Sequence, residues 1–407
     1  MEGKCIYRSK DCIGKVNTVG HEGTELKFEA FAKYAVAWIN KMIMFTKKNG
    51  DNYQILNYID CMASSGLYVN EDKTKFIDGT TIRIINIFKG TARKYPDKEF
   101  NIYLNDYENQ YVKCLKCIKN EYENRGEIPE NLNIEITELD KNKFIEQNLS
   151  SSKFKKYEAA NLIVYDPYEV DFDWKVLRNM FKLNADFLIT HFFPNDTKRS
   201  LSVVKSEEKK QRYAKSYNID FDELLKTYLS KTTVYERNIY LRQLFVEQLL
   251  LNSNKKFTCY APVFADLKKL HVYDIVCLSH STYSLELLKR TMYTLYSKKS
   301  EEAVHKMASE QISLFEDVES DRYQSRREAG ISEFNFHYNN REILKQFIET
   351  FKGKELTDRE FKKILRTHPY LPPQILTMVK NSWKYTTKKD KYKDTSIYYF
   401  PKGGLYE

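Results

Sequence analysis

The stretch that decides the fold is QILNYIDCMASSGLY, residues 54–68. Its first residues favour a β-strand that ends on Asp60, and a loop of small residues from Ala63 to Gly66 follows. Such a loop lets the backbone approach a ligand closely, and ligands of open parallel sheets bind beyond the carboxyl ends of the strands. The stretch therefore predicts the first strand of a parallel sheet, with a binding loop at its end.

Strand-like and helical runs alternate outward from this stretch. A helical run near residues 80–94 comes next, followed by the strand-like runs NIYLND, NIEITELD, NLIVYD and DFLITHFF, which begin at residues 101, 133, 161 and 186. Two more, KFTCYAPVFA (256–265) and VYDIVCLSHS (272–281), are close enough in sequence to include an antiparallel pair. Strands separated by helices form a parallel sheet with right-handed crossovers. We therefore predict an α/β fold with a Rossmann-like, seven-stranded sheet of the methyltransferase type.

The same patterns predict how the 407 residues are divided. Residues 1–298 form the Rossmann-like domain, which begins with an amphipathic helix and contains a helical insert at about 196–256. Residues 299–338 are polar and charged and are predicted to be a linker with at most short helices. Residues 339–407 contain three helical runs and a two-stranded ribbon, the outline of a winged-helix domain.

Composition excludes several classes of protein. A hydrophobic fraction of 42% with 30% charged residues is ordinary for a folded globular chain. The chain contains neither an apolar run of about 20 residues nor an apolar signal region at its start, so we expect a cytoplasmic protein without a membrane segment. The seven cysteines form no disulfide framework, and the one CxxC, Cys114 to Cys117, has no second pair at zinc spacing. No metal site is predicted.

Charge points to an anionic partner. The net charge is +10, and from Phe351 to Glu407 there are 13 Lys and Arg against 6 Asp and Glu. A basic C-terminal domain of helix-turn-helix type predicts contact with a nucleic acid, DNA or RNA. The candidate contacts are Lys380, Lys384, Lys388 and Lys389, helped by the basic insert near 205–215. The alternative is a composition that is rich in lysine throughout.

Acids follow the first three strands of the predicted sheet. Asp60 ends the first, Asp106 the second, where an acid commonly binds a ribose diol, and Asp140 the third, where it could meet an adenine amino group. Neither GxGxxG nor GxxxxGK[ST] is present, which disfavours dinucleotides and nucleoside triphosphates and favours S-adenosylmethionine. The predicted cofactor residues are Asp60, Ala63, Ser64, Gly66, Asp106 and Asp140. The alternative for each acid is an ordinary loop or helix-capping role.

The fourth strand ends on Asp166-Pro167-Tyr168, close to the [DNS]PP[YF] motif of enzymes that methylate exocyclic amino groups. In that chemistry the carboxylate and the next carbonyl accept the two amino hydrogens, so that the nitrogen lone pair can face the methyl group. The aromatic ring stacks on a base taken out of its helix. The three residues are therefore the catalytic candidates. The alternative is a turn after a buried strand. His191, after the fifth strand, is expected to be structural.

Four stretches together resemble the three-Cys-motif partner (TcmP) family. They are KFEAFAKYAVAW (27–38), DCMASSGLY (60–68), DGTTIRI (78–84) and VYDPYE (164–169). The chain departs from the family pattern where Ser64-Ser65 replace Gly-Pro and where Thr81 replaces a proline. The resemblance implies a methyltransferase-like Rossmann fold with S-adenosylmethionine as ligand, and a partner protein encoded nearby.

The predicted linker contains QISLF, Gln311 to Phe315, similar to the pentapeptide QL[SD]LF that binds bacterial sliding clamps. Such a peptide would favour DNA over RNA as the substrate, and its alternative is a short helix docked on the parent domain.

Three functions are consistent with these features. The first is a nucleic-acid methyltransferase that acts on an exocyclic amino group, adenine N6 in preference to cytosine N4. The second is a non-catalytic cofactor-binding or DNA-tethering subunit of another enzyme. The third is a nuclease, for which Asp166, Glu169, Asp171 and Asp173 would have to gather around Mg²⁺.

Overall fold

A computed structural model of the chain describes residues 16–19, 22–47, 50–70, 72, 74–149, 151–193, 201–264, 271–307, 319–383, 385–390 and 395–402. Its first half contains eight strands and five helices, in chain order β1 (Asn17–Thr18), α1 (Glu22–Met44), β2 (Ile55–Asp60), β3 (Leu67–Val69), β4 (Phe76–Asp78), α2 (Thr80–Lys94), β5 (Glu99–Asp106), α3 (Asn109–Asn124), β6 (Leu132–Glu138), α4 (Lys141–Phe144), β7 (Ala159–Tyr165), α5 (Trp174–Phe181) and β8 (Ala185–Phe192).

The second half begins with the helices of the insert and ends in a small domain. Its elements are α6 (Glu207–Tyr217), α7 (Phe221–Ser230), α8 (Val234–Asn252), β9 (Phe257–Phe264), β10 (His271–Ser279), α9 (Thr282–Met307), α10 (Glu319–Tyr338), α11 (Asn340–Phe351), β11 (Glu355–Thr357), α12 (Asp358–Thr367), α13 (Ile375–Ser382), β12 (Thr386–Asp390) and β13 (Thr395–Tyr399).

Seven strands form one mixed sheet in the order β6-β5-β2-β7-β8-β10-β9. The first five are parallel to one another, and β10 is antiparallel to both of its neighbours. The central strands β2 and β7 are buried along their whole length, as expected for strands covered by helices on both faces. The predicted α/β class and seven-stranded sheet are confirmed, and the order is consistent with a Rossmann-like fold.

A hydrophobic core lies on each face of the sheet. One core joins the strands to α1, α2, α3 and α9, with Tyr34 and Trp38 of α1 almost fully buried. The other joins the opposite face to α5 and to the helices α6 to α8 of the insert, through residues such as Phe172 and Phe245. The helical insert is therefore one of the layers that cover the sheet, since its apolar residues complete the second core.

A small second sheet lies next to the binding loop. Its strands are ordered β1-β3-β4, and β3 and β4 form a hairpin between the loop and α2. The sequence analysis did not anticipate this hairpin, because its strands have three residues each and lack a readable period. The hairpin returns the chain to the loop, where Gly79 N donates to Gly66 O at 2.9 Å.

The prediction of a polar linker with at most short helices over residues 299–338 is wrong for the described part. α9 continues to Met307, and the 20-residue helix α10 covers Glu319–Tyr338. Phe334 and Tyr338 of α10 pack on the first core, and the buried Glu333 binds Arg242 with Nη2 and Oε1 2.6 Å apart. A helix that buries ion pairs along with its aromatic rings has a polar sequence, which is why its packing face was missed.

The C-terminal residues form three helices and a three-stranded antiparallel sheet in the order β11-β13-β12. Phe347, Phe361 and Trp383 belong to their own hydrophobic cluster. Thr357 caps α12 in a capping box with Glu360. The predicted ribbon is present as β12 and β13, and β11 adds a third strand that sequence analysis did not identify.

Within the described segments, no helix combines the length and the apolar character that crossing a lipid bilayer would require.

Candidate functional site

The predicted site residues lie at the carboxyl edge of the five parallel strands. Asp60 and Asp106 are the last residues of β2 and β5, Asp140 follows β6 by two residues, and Asp166 follows β7 directly. β2 is paired with both β5 and β7, so Asp60 lies between the acids of its neighbours. The electrostatics agree, because Asp166 and Asp106 both contribute to raising the pKa of Asp60.

Asp60 is the most perturbed carboxyl group of this edge. It is 4% exposed, and its Oδ1 accepts from Met62 N at 3.1 Å while Tyr58 OH lies 3.4 Å from Oδ2. Burial is the main cause that raises the pKa of Asp60 from 3.8 to about 7. At neutral pH this side chain is therefore divided between its protonated and ionised forms, and a nearby cation would favour the ionised form.

The loop after β2 is shaped by two residues with left-handed backbone. Ser64 has φ 54° and Gly66 has φ 71°. A Cβ at Gly66 would also lie 2.9 Å from Cδ2 of Leu115, so glycine is required there for space as well as for conformation. Ala63 N donates to Asn105 O at 2.7 Å, which fixes the loop to the end of β5. The loop is thus held over the sheet edge by backbone contacts.

The serines that replace Gly-Pro of the TcmP pattern are bound to the first strand. Asn17 N donates to Ser65 Oγ at 3.0 Å, and Asn17 Nδ2 lies 3.4 Å from Ser64 Oγ. Thr81 Oγ1 in the first turn of α2 donates to Ala63 O at 3.4 Å. The residues that depart from the family pattern therefore hold the loop in place through hydroxyl hydrogen bonds.

Asp106 binds the loop and the start of α3 with its two oxygens. Oδ2 accepts from Ser64 N at 2.8 Å, and Oδ1 accepts from Glu108 N at 2.9 Å. Burial raises the pKa of Asp106, and these backbone N–H groups act against the rise. The backbone N–H of Tyr107 also acts on this carboxylate, so three of its acceptor positions are used and one is left for a hydroxyl group.

Two exposed tyrosines, which sequence analysis partly missed, lie near Asp106. Tyr107 is 71% exposed and Tyr168 is 77% exposed. Both act on Tyr111 of α3, whose pKa is raised by burial and then by neighbours that include Asp106, Tyr107 and Tyr168. Tyr107 directly follows Asp106, and Tyr168 follows Asp166 by two residues, so both exposed rings come directly after acid-bearing strand ends. Tyr107 could have been identified as the residue that follows a strand-ending acid.

Asp140 has a defined local role. It is exposed and caps α4, because its Oδ1 accepts from Asn142 N at 2.9 Å and from Lys143 N at 3.4 Å. The structure places this residue at the predicted edge of the sheet, in the capping role that was the alternative for the acids. Its second oxygen, Oδ2, is not used in the cap.

Asp166 is bound on one side only. Lys27 of α1 places Nζ 2.6 Å from Oδ2 of Asp166, and both side chains are less than one fifth exposed. Oδ1 of Asp166 is buried, and no donor among the described residues bonds to it. A buried carboxylate oxygen without a donor costs free energy. A ligand that donates a hydrogen bond to Oδ1 of Asp166 would therefore bind favourably. Pro167 beside it is buried, and Tyr168 points its ring into solvent.

The other acids of the β7 loop are each paired with a different cation. Glu169 binds Arg212 at 2.8 Å, Asp173 binds Lys215 at 2.6 Å, and Asp171 binds Lys141. The described residues contain no group of three or more potential ligands that could hold a metal ion. The nuclease alternative requires these acids to gather around one ion, whereas each of them is bound to a separate cation. Arg212 and Lys215 of the basic insert are therefore bound to acids of the loop after β7.

The remaining predicted residues differ in burial, and some of them lie outside the described residues. His191 is fully buried, stacks on Phe245 with ring centres 4.3 Å apart, and has its pKa lowered to about 3 by burial, so it is a neutral structural residue. Lys388 and Lys389 are exposed on β12. Lys380 lies on α13, and Lys384 and the Gln311–Phe315 pentapeptide lie outside the described residues.

No protein-family model matches the chain, and no curated protein matches it at a significant level. The geometry of the sheet edge and the motif resemblance are therefore the basis on which its function is inferred.

Proposed function

We propose that this protein is an S-adenosylmethionine-dependent methyltransferase that acts on an exocyclic amino group of a nucleic acid, adenine N6 in preference to cytosine N4. The observation that carries the proposal is Oδ1 of Asp166. It is buried and without a donor, next to a backbone carbonyl in an Asp-Pro-Tyr segment, at the edge of the sheet where Asp60 and Asp106 also lie. An amino group would supply the missing donor.

The residues of the edge fit a cationic, adenosine-containing ligand. Lys27 neutralises Asp166, whereas the hydrogen bonds described for Asp60 and Asp106 come from backbone N–H groups and from the hydroxyl of Tyr58. The carboxylates repel one another, which contributes to the raised pKa of Asp60. S-adenosylmethionine has an ammonium group and a sulfonium group, so its binding would relieve this repulsion. Its role in the reaction is to supply an electrophilic methyl group.

Each part of the cofactor has a candidate partner. Asp60 and the backbone of Ala63 to Gly66 would hold the methionine end, and Asp106 would accept from the ribose diol. Tyr107 would stack on the adenine ring, since an exposed aromatic ring next to the ribose acceptor is placed for that contact. Asp140 would meet the adenine amino group with Oδ2, the oxygen that its cap leaves unused.

The chain's own residues position the acceptor. Oδ1 of Asp166 and the carbonyl of Pro167 accept the two hydrogens of the amino group, which turns the nitrogen lone pair toward the methyl group. Lys27 binds Oδ2 of Asp166, which leaves Oδ1 to face the amine. As the amine accepts the methyl group that the bound cofactor would supply, it would lose one proton through Oδ1 of Asp166 to water. Orientation supplies most of the acceleration, and no metal takes part.

Tyr168 is the residue that would hold the target base. Its ring is exposed beside Asp166, and stacking on an aromatic ring compensates a base for leaving its helix. The proposal that the C-terminal residues form a winged helix is supported by their order of helix, strand, two helices and two strands and by their three-stranded sheet. Its exposed Lys388 and Lys389 are placed on the ribbon, where a winged helix contacts phosphates.

DNA is favoured over RNA because of the clamp-like pentapeptide Gln311–Phe315. Membership of the TcmP family, the assignment of residues 1–298 as the cofactor-binding domain and a cytoplasmic location belong to the same proposal. A partner protein encoded nearby is implied by the family resemblance.

The test is transfer of a labelled methyl group from S-adenosylmethionine to duplex DNA, single-stranded DNA and RNA. Asp166→Ala should abolish transfer, while cofactor binding measured by calorimetry should change less than threefold. Asp171→Asn is the matched control, since Asp171 lies in the same loop and is paired away from the amine site with Lys141. Wild-type protein that binds the cofactor and labels none of these substrates would contradict the proposal.

The second candidate is a cofactor-binding or DNA-tethering subunit. It is favoured because the polar groups of the loop already form hydrogen bonds within the protein. The hydroxyls of Ser64 and Ser65 are bound by Asn17, and both oxygens of Asp106 are engaged by backbone N–H groups. In that case methyl transfer would require a second protein. Mixing the chain with the product of a neighbouring gene and finding activity only in the mixture would select this alternative.

A further inference from the structure

Tyr68 of β3 lies next to the candidate methyltransferase site, and the methyl transfer proposed above does not use it. Its neighbours in the strand, Leu67 and Val69, belong to the first core. Because successive side chains of a strand point to opposite faces, Tyr68 points away from that core. It joins a separate hydrophobic cluster that includes Phe28 of α1.

The aromatic ring of Tyr68 is held by close contacts. Its ring centre lies 4.5 Å from that of Phe28. The ring also lies against Gly79, the N-cap residue of α2, where a Cβ would be 2.4 Å from it. The residue is 9% exposed. A ring held in this way fixes the place of its hydroxyl group, which loses little freedom when it binds a ligand.

Two contacts lead from Tyr68 to acids of the sheet edge. Its hydroxyl group is hydrogen-bonded to the side chain of Ser64, and the backbone N–H of Ser64 donates to Oδ2 of Asp106 at 2.8 Å. The residue before its ring partner on α1 is Lys27, whose Nζ lies 2.6 Å from Oδ2 of Asp166. Tyr68 is therefore linked to the ends of β5 and β7, the strands on either side of β2.

The electrostatics of the hydroxyl group agree with this position. Burial is the main cause that raises the pKa of Tyr68, and the hydrogen bond from Ser64 acts against the rise. Asp166, Asp60 and Asp106 each raise it further. The hydroxyl group therefore stays neutral at physiological pH, in the negative potential of three carboxyl groups. Such a place attracts a cation and repels an anion.

We propose that the phenolic oxygen of Tyr68 accepts a hydrogen bond from the ammonium group of S-adenosylmethionine. The inference rests on the cofactor-binding part of the proposed function, which places the methionine end at Asp60 and the loop that follows. The oxygen accepts one hydrogen bond from Ser64 and has a second lone pair for the ammonium group. An ammonium group has three N–H donors, so it can bind Tyr68 and the carboxylate of Asp60 together.

A neutral acceptor suits this place. The acids already repel one another, which contributes to the raised pKa of Asp60. A fourth carboxylate would add to that repulsion, whereas a phenol contributes an acceptor without a charge. The same acids repel the carboxylate of the cofactor, so the ammonium group is the part of the methionine end that Tyr68 recognises.

The test is titration calorimetry of the full chain with S-adenosylmethionine, S-adenosylhomocysteine, decarboxylated S-adenosylmethionine and 5′-methylthioadenosine. The first three ligands have the ammonium group, and 5′-methylthioadenosine lacks it. Tyr68→Phe removes the hydroxyl group and keeps the ring that packs on Phe28. It should weaken binding of the first three ligands about tenfold, as expected for a lost hydrogen bond to a charged group. Binding of 5′-methylthioadenosine should stay within threefold of the wild type.

Two controls accompany this variant. Urea unfolding of Tyr68→Phe, together with its binding of 5′-methylthioadenosine, checks that the protein is folded and that the adenosine part of the site is intact. Tyr157→Phe is the matched substitution, because Tyr157 is an exposed tyrosine before β7, at the opposite edge of the sheet. It should change none of the four affinities.

Four results would overturn the inference. The first is a Tyr68→Phe protein that binds every ligand within threefold of the wild type. The second is an equal loss for all four ligands, because Tyr68 would then shape the pocket as a whole. The third is a loss that spares S-adenosylhomocysteine or the decarboxylated cofactor, because the sulfonium group or the carboxylate would then be the partner. The fourth is a wild type that binds none of the ligands.

These outcomes separate the inference from the proposed function. In the first three results the wild type binds the cofactor, so the role of Tyr68 fails and the proposed methyltransferase stands. A wild type that binds none of the ligands contradicts both. A wild type that shows the expected pattern of binding and transfers no methyl group contradicts the proposed reaction and keeps the role of Tyr68.

Discussion

Replacing Asp60 by asparagine should stabilise the protein at alkaline pH and leave it nearly unchanged in acid. Asp60 is almost fully buried, and burial together with Asp166 and Asp106 raises its pKa from 3.8 to about 7. Asparagine is neutral at every pH and has nearly the same shape. Its carboxamide oxygen can still accept from Met62 N, so the loop contact is kept.

The direction in which the free energy of unfolding changes with pH follows from proton binding to Asp60. Between pH 3.8 and about 7 the folded protein holds a proton on Asp60 that the unfolded chain has lost. The free energy of unfolding of the wild type therefore falls as pH rises through this window. A rise in pKa of this size corresponds to about 4 kcal/mol in total, of which about 2 to 3 kcal/mol is lost between pH 5 and pH 8.

The assay is urea unfolding of wild type and Asp60→Asn at pH 5, 6, 7 and 8. The stability difference between the two proteins should grow by about 2 to 3 kcal/mol from pH 5 to pH 8 in favour of the variant. Asp78→Asn is the control, because Asp78 is an exposed residue of β4 and should give no such growth. If the proposed cofactor site is correct, the stabilised variant should bind S-adenosylmethionine about tenfold more weakly.

A stability difference that stays constant from pH 5 to pH 8 would refute the reasoning, since the carboxylate would then not be protonated in the folded state. A variant less stable than the wild type at pH 8 would refute it as well, because Asp60 would then be held ionised by a favourable contact.

Three further predictions concern other contacts. Lys27→Met should lower methyl transfer at least tenfold in the labelling assay, while cofactor affinity should stay within threefold of the wild type. Lys27→Arg should restore part of the activity. Equal loss of cofactor binding and methyl transfer would contradict a role of Lys27 at Asp166. Arg242→Met should cost about 3–5 kcal/mol in urea unfolding, because Asp274 and Glu333 remain buried without their cation; a loss below 1 kcal/mol would argue against the network. Gly79→Ala should lower the free energy of unfolding by about 1–3 kcal/mol, since a Cβ would lie 2.4 Å from the ring of Tyr68. Gly90→Ala, in open space on α2, should leave the free energy of unfolding unchanged or raise it. A change of the same sign in both variants would count against the clash.

Much of the sheet could be predicted from the sequence. Strand periodicity and the acids at strand ends are local features, so the ends of β2, β5 and β7 were placed correctly. The short hairpin of β3 and β4 was not, because three-residue strands have no period to detect. The helix α10 was missed because its buried Glu333 and His337 look like surface residues until Arg242 is placed beside them.

The candidate site divides in the same way. The sequence alone determined which residues follow each strand, and therefore that Asp60, Asp106 and Asp166 share one edge, because parallel strands in a sheet bring their carboxyl ends together. Only the tertiary structure decided their electrostatic states. Lys27 is 139 positions from Asp166 in the sequence, so the contact between Lys27 Nζ and Oδ2 of Asp166 depends on how α1 packs on the sheet. Oδ1 has no donor among the described residues. A cavity lined by Asp186 was likewise beyond sequence analysis, since its lining comes from five separate stretches of the chain that meet only in the folded protein.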